Sequence, residues 1–302
     1  MKIKVFLVVF LLLIVAFGVI LYRRNNIGRS TSSGPKVVVS IFPLYDIVKN
    51  VAGDEVETQL ILPPGASPHT FDYTPTQVKE ALSADAMFVV GHSIDNWAKG
   101  LATAAEITNV IVVDKNVNLL PLEFVDPDGV SADNLDPHYW LSIKNAEGMA
   151  NQIKDELSAL YPDKASKFEA NYSKYSAELQ ATDIQIAGEF KNRQGIRIAT
   201  FHNAYSYFAK DYGINIVASF EEFPGKEPTP KYLQEFEEQV RSSGTRVIFV
   251  EPQFATSSLQ PIAEDLGVNL LVLDPLGGVP GRNTYLNLMQ FNAHQVLENT
   301  AD

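Results

Sequence analysis

The sequence predicts an α/β protein of two lobes, each built on a parallel sheet, joined by a long backbone helix. Three observations predict it. From Lys36 onward, short β-branched runs alternate with longer helical stretches. The alternation occurs as two series that match in number and order. Between them, residues 144–193 are polar, poor in glycine and rich in Ala, Glu, Lys, Gln and Ser. Strands that alternate with helices call for parallel sheets covered on both faces, because each crossover lays a helix on the sheet.

In the first series, strand-like runs fall at 37–42, 56–62, 86–91 and 110–114, with helical patterns at 45–51, 76–83 and 95–104. A helix near 143–160 follows and ends at Tyr161-Pro162, where the imino ring cannot continue it. The next helix, 165–191, would be roughly 40 Å long at about 1.5 Å per residue. The second series places strands at 196–201, 214–219, 247–251 and 269–274, with helices near 204–212, 231–243, 259–266 and 284–298. The expected domains are an N-terminal lobe 36–143, a helical connector 144–193 and a C-terminal lobe 194–302. The two series show no obvious sequence repetition. The connector reads as a strut between lobes rather than a helix buried inside one. It lacks the extended segments of a flexible double-strand hinge, so a modest shift between lobes is expected rather than a large closure.

Composition narrows the function. The 302 residues carry 24 Lys+Arg against 36 Asp+Glu, and the formal charge of −12 argues against a nucleic-acid binder, which needs a basic face to displace counterions. With 46% hydrophobic and 20% charged residues, wholesale disorder is excluded. There is no Cys, which removes disulfides, thiolate metal sites, thiol nucleophiles and a lipid-modified N-terminal Cys. Any metal must be held by His and carboxylate.

Residues 1–24 carry Lys2 and Lys4, then an apolar run of 18 residues over 5–22, ending at Arg23 and Arg24. As a helix this run spans roughly 27 Å, close to a bilayer core. It is read as an uncleaved membrane anchor or a cleaved signal peptide, its length favouring the anchor. Either reading makes the remainder extracytoplasmic. Residues 25–35 read as a flexible linker.

In open parallel sheets, ligands bind beyond the carboxyl ends of the strands. His69 lies in a turn-rich loop after one such end, and His138 closes a longer acidic loop after another. His202 and Asp274 follow two ends in the second series. Each has a bland reading: a lone loop His is usually a surface or hydrogen-bonded residue, and Asp274 before Pro275 can cap a turn. Together, three imidazoles and one carboxylate suit a four-coordinate first-row divalent cation between the lobes. His92, at another strand end, is an auxiliary candidate, and His294 is read as structural. Glu251 is read either as a buried carboxylate bonded to backbone N–H groups or as a group behind a ligand.

These residues stand in motifs: Pro68-His69-Thr70-Phe71-Asp72-Tyr73-Thr74-Pro75, Asp136-Pro137-His138-Tyr139-Trp140-Leu141, Phe201-His202-Asn203-Ala204-Tyr205, Phe249-Val250-Glu251-Pro252-Gln253 and Leu273-Asp274-Pro275-Leu276-Gly277. In order and spacing the chain resembles the zinc/manganese-type solute-binding proteins of ABC importers, the metal-receptor lipoprotein or adhesin family, over about residues 36–302. The resemblance implies two α/β lobes on a backbone helix, one metal ion between them as cargo, and His69, His138, His202 and Asp274 as its ligands. It implies a monomer that delivers the ion to an importer permease and has no catalytic residues. Members that resemble manganese receptors often carry Glu where this chain has His202, and more nitrogen donors favour Zn²⁺ over Mn²⁺. Two departures stand out: a short acidic loop replaces a His-rich one before His138, and no Cys is present for acylation. The rivals are a mononuclear zinc hydrolase, with Glu251 as the only plausible base, and a metal-independent adhesin or scaffold.

Overall fold

The computed structural model describes residues 34–122, 134–193, 195–221 and 225–300. The N-terminal apolar run and most of the acidic loop before His138 lie outside the described residues. Among the described residues, no helix is long and apolar enough to cross a membrane.

The first sheet holds β1 (Lys36–Val39), β2 (Glu57–Leu60), β3 (Ala86–Val89) and β4 (Val110–Val112) in the order β2-β1-β3-β4. The second holds β5 (Arg197–His202), β6 (Asn215–Glu221), β7 (Val247–Val250) and β8 (Asn269–Val272) in the order β6-β5-β7-β8. Every pairing is parallel. The fold is therefore the expected two-lobed α/β architecture, with one topology used twice. Central strands β3 and β7 are buried at every residue, while edge strands β2 and β8 are partly open.

Side-chain alternation sorts each sheet into two faces. Val37, Val39, Ala86 and Phe88 face one apolar cluster, while Val38, Met87 and Val89 face another. In the second sheet Ile198, Val247 and Phe249 join the first of these clusters, and Ala199, Phe201, Ile248 and Val250 a third. The cluster common to both sheets is the structural heart of the molecule. Into it pack α1 (Phe42–Ala52), α4 (Ile143–Leu160), α5 (Ala165–Phe190) and α9 (Tyr285–Asn299). The outer faces are covered by α2 (Pro75–Ala81) and α3 (Trp97–Ala104) on one lobe, and by α7 (Pro230–Ser243) and α8 (Gln260–Leu266) on the other. Helix α6 (Ser206–Tyr212) contributes Tyr207, Phe208 and Tyr212 to the common core.

Helix α5 has 26 residues. Its polar composition hides one apolar stripe: Phe168, Tyr175, Leu179, Ile186 and Phe190 all enter the common core. It is thus half strut and half core element, which its overall polarity does not disclose. Ser142 caps α4 by accepting from Asn145 N, and its hydroxyl also donates to Asp211 at 2.5 Å.

Candidate metal centre

His69 lies in the loop after β2, His138 just before the short turn Tyr139–Leu141 that leads into α4, and His202 at the last position of β5. The structure brings these three together. Nε2 of His138 stands 3.4 Å from Nε2 of His69 and 3.3 Å from Nε2 of His202. One ring nitrogen of each lies within 4.8 Å of the other two. These spacings have a chemical meaning. Nitrogens at about 2.05 Å from a tetrahedral zinc ion are roughly 3.3 Å apart.

Two carboxylates set the ring orientations. Asp136 Oδ1 lies 2.8 Å from Nδ1 of His138 and also accepts the His138 backbone N–H at 2.9 Å. Glu251 Oε1 pairs closely with Nδ1 of His202. A carboxylate at Nδ1 makes that nitrogen the proton carrier, so the lone pair sits on Nε2, where the rings converge. His202 ends β5 and Glu251 follows the last residue of the neighbouring β7, the point where strand order in the second sheet reverses. In such sheets that crevice is the expected ligand position.

His69 is fixed differently. The indole N–H of Trp97 donates to the carbonyl of Pro68, the preceding residue, at 3.2 Å. Burial of its ring, with the neighbouring His138 and His202 rings as smaller causes, holds the His69 imidazole well below its ordinary pKa. A neutral ring is the form that donates to a metal.

Asp274 is buried and lies just past β8. Its Oδ1 accepts from the N–H groups of Leu276 and Gly277, both at 3.0 Å, and from Gln253 Nε2 at 3.1 Å. Its Oδ2 faces Arg282 Nε at 3.3 Å. The carboxylate therefore caps the turn, and among the described residues the close donor trio consists of the histidines without it. It stands next to them, since Pro275 and Leu276 line the same cavity as His69, His138 and His202. The turn requires glycine: Gly277 has φ +71°, and a Cβ there would lie 2.9 Å from the Arg282 carbonyl oxygen.

That cavity measures about 10 Å³, room for about one water-sized particle. Glu251 Oε1 stands against Nδ1 of His202, the approach that the second of its two sequence readings calls for. Sequence reasoning missed Asp136 as the partner of His138, although the Asp-Pro-His spacing carried the signal. It also missed Arg282 and Gln253 around Asp274. His92 stands apart from the trio, with Nε2 3.2 Å from Asp114 Oδ2. His294 is exposed on α9, 3.9 Å from Glu298.

Two α/β lobes and a pocket in which three imidazoles converge are the arrangement found in metal-binding solute-binding proteins. Residues 37–299 match the family described as ZnuA, zinc-uptake complex component A, periplasmic, and the chain belongs to that family. It is a family of uptake components, not of enzymes. The zinc-binding protein AdcA of Streptococcus pyogenes serotype M3 is 26% identical over 261 residues, covering 81% of this chain and 51% of the relative. The manganese-binding lipoprotein MntA of Halalkalibacterium halodurans is 29% identical, covering 86% of each chain. The solute-binding protein FpvC of Pseudomonas aeruginosa, solved in complex with Mn²⁺, superposes with a TM-score of 0.79 at 26% identity, covering 88% of this chain and 98% of that one. The chain spans about half the length of the zinc-binding relatives it matches.

Proposed function

We propose that this protein is an extracytoplasmic receptor that captures one divalent metal ion and hands it to an ABC importer permease, with Zn²⁺ as the cargo. The observation that carries this reading is the pair of Nε2–Nε2 separations, 3.3 and 3.4 Å, the edge length of a tetrahedral zinc site. His69, His138 and His202 supply nitrogen, and Asp274, beside the pocket, supplies the fourth donor. Capture replaces the ion's water with these groups, and separation of the lobes 36–143 and 194–302 on docking loosens them for release. The chain acts as a monomer, held at the membrane by residues 1–24.

Manganese is the second reading, favoured by the manganese-binding relative and the Mn²⁺-bound structural neighbour. Nitrogen-rich sites bind Zn²⁺ more tightly by the Irving–Williams trend, so competition, not affinity alone, separates the two. The test is calorimetric titration of the metal-stripped full chain with zinc, beside His202→Ala. One tight site that collapses in the variant is expected. Absence of binding in the wild-type chain would overturn the reading, and unchanged affinity in the variant would remove His202 from the ligand set.

A further inference from the structure

We infer that Arg282 is a built-in competitor for the metal, holding the oxygen of Asp274 that the incoming ion must take and thereby setting affinity low enough for release. The inference rests on Asp274 being a ligand, as proposed above.

The two carboxylate oxygens of Asp274 are held unequally. Oδ1 accepts from three donors of its own lobe, the Leu276 and Gly277 amides and Gln253 Nε2. Oδ2 has Arg282 Nε at 3.3 Å. A metal that displaced Oδ1 from its bonds would break up the turn, leaving buried amide donors unpaired. Taking Oδ2 costs one ion-pair contact. Oδ2 is therefore the exchangeable oxygen, and the group it is exchanged against is Arg282.

Arg282 is well placed for that exchange. Its side chain is 17% exposed, and its guanidinium lies 4.5 Å from the centre of the Phe291 ring. The ring face keeps it near Asp274 after the carboxylate turns to the ion, because a cation is attracted to an aromatic face. Burial raises the Tyr205 hydroxyl well above its ordinary pKa, the charges of Glu251 and Asp274 add to the rise, and that of Arg282 opposes it.

The charges point the same way. Asp136 and Glu251 back two of the imidazoles, Asp274 is a third carboxylate, and Glu221 at the end of β6 lies within reach of the charges of His202 and Glu251. Arg282 offsets part of this negative charge at Asp274, so the centre without it would hold a cation harder.

The direction of this effect separates it from a merely structural role. In the metal-stripped full chain, R282Q should bind zinc roughly tenfold tighter than wild type, since a positive charge near a cation has been removed. It should also lose zinc to a chelator more slowly, while R282K stays close to wild type. Equal or weaker zinc binding by R282Q would overturn the inference. If R282Q does not fold, the wild-type chain decides: the Nε–H resonance of Arg282 should shift on zinc addition, and an unmoved resonance in a zinc-saturated protein would overturn it. Failure of the wild-type chain to bind zinc at all would instead strike the receptor reading, so the two failures are distinguishable.

Discussion

The indole N–H of Trp140 donates to the carbonyl oxygen of Pro275 at 2.7 Å. This bond ties the segment that carries His138 directly to the turn that carries Asp274. The Trp140 ring also lies 5.4 Å from the His138 ring, and its own carbonyl accepts from Tyr285 Oη at 2.7 Å. Trp97 makes the parallel bond to Pro68 beside His69. Both tryptophans of the chain thus fix the backbone next to a proposed ligand.

From that arrangement, Trp140→Phe should be the more damaging of the two conservative changes. Trp140 is fully buried, so the change leaves a void and an unpaired carbonyl, costing about 2–3 kcal/mol. Trp97→Phe keeps the edge contact with Phe71 and loses a partly buried hydrogen bond, costing about 1 kcal/mol. Chemical unfolding of the metal-free variants measures both. Equal losses would show that the Trp140–Pro275 bond carries no special weight.

Glu251 and Asp136 act through the rings they hold. Glu251→Gln can present an amide N–H to Nδ1 of His202 and so push the proton to Nε2, the nitrogen that faces the other rings. A loss of roughly 10- to 100-fold in zinc affinity is expected, as for other groups that orient a ligand. Because the effect runs through His202, Glu251→Gln combined with His202→Ala should be no worse than His202→Ala alone. Additive losses in isothermal titrations would mean that Glu251 contributes independently.

Much of this was legible in the residues, and the remainder was hidden for identifiable reasons. Each strand's ends fall within three residues of its expected run, because short β-branched runs between turn signals have few alternative readings. The break at Pro162 places the start of α5, as expected. His202 was readable because it ends a strand, and His69 and His138 because they lie in loops that follow strand ends, where the fold class alone says a ligand binds. The apolar stripe of α5 was obscured by its surrounding polar residues. Arg282 and Gln253 reach Asp274 only through space. Arg282 arrives by way of the glycine turn at 277 and 278, and Gln253 comes from the loop after β7. Spacing along the chain encodes neither contact.

Gly148 offers a case where two sequence-level rules oppose each other. It lies inside α4, where alanine is normally better by about 1 kcal/mol. Yet a Cβ at this position would stand 2.0 Å from the Asn116 carbonyl oxygen. The loop after β4 is fastened down on this helix: Lys115 N donates to Gln152 at 2.9 Å, and Asn118 N donates to Asn145 at 2.9 Å. Backbone held in this way cannot yield cheaply, so overpacking, at roughly 1–3 kcal/mol or more, outweighs the propensity gain. Gly148→Ala should therefore lower the melting temperature. A rise would show that the loop moves aside freely.

The depressed His69 pKa gives the metal-free protein a pH dependence whose sign is fixed. Burial, reinforced by the two neighbouring imidazoles, keeps the ring neutral in the fold, whereas in the unfolded chain it takes up a proton near the ordinary value of 6.5. Below that value the unfolded state binds more protons than the folded one, so stability falls as the pH drops. The loss continues until the folded-state pKa is reached, and above 6.5 this group contributes no slope. His69→Gln removes the titration, so its unfolding free energy should decline less between about pH 6.5 and pH 5 than that of the wild-type protein. Urea unfolding of the metal-free proteins across this range measures the difference. Parallel curves would show that His69 is not held neutral by the fold. A steeper decline in the variant would reverse the assigned sign.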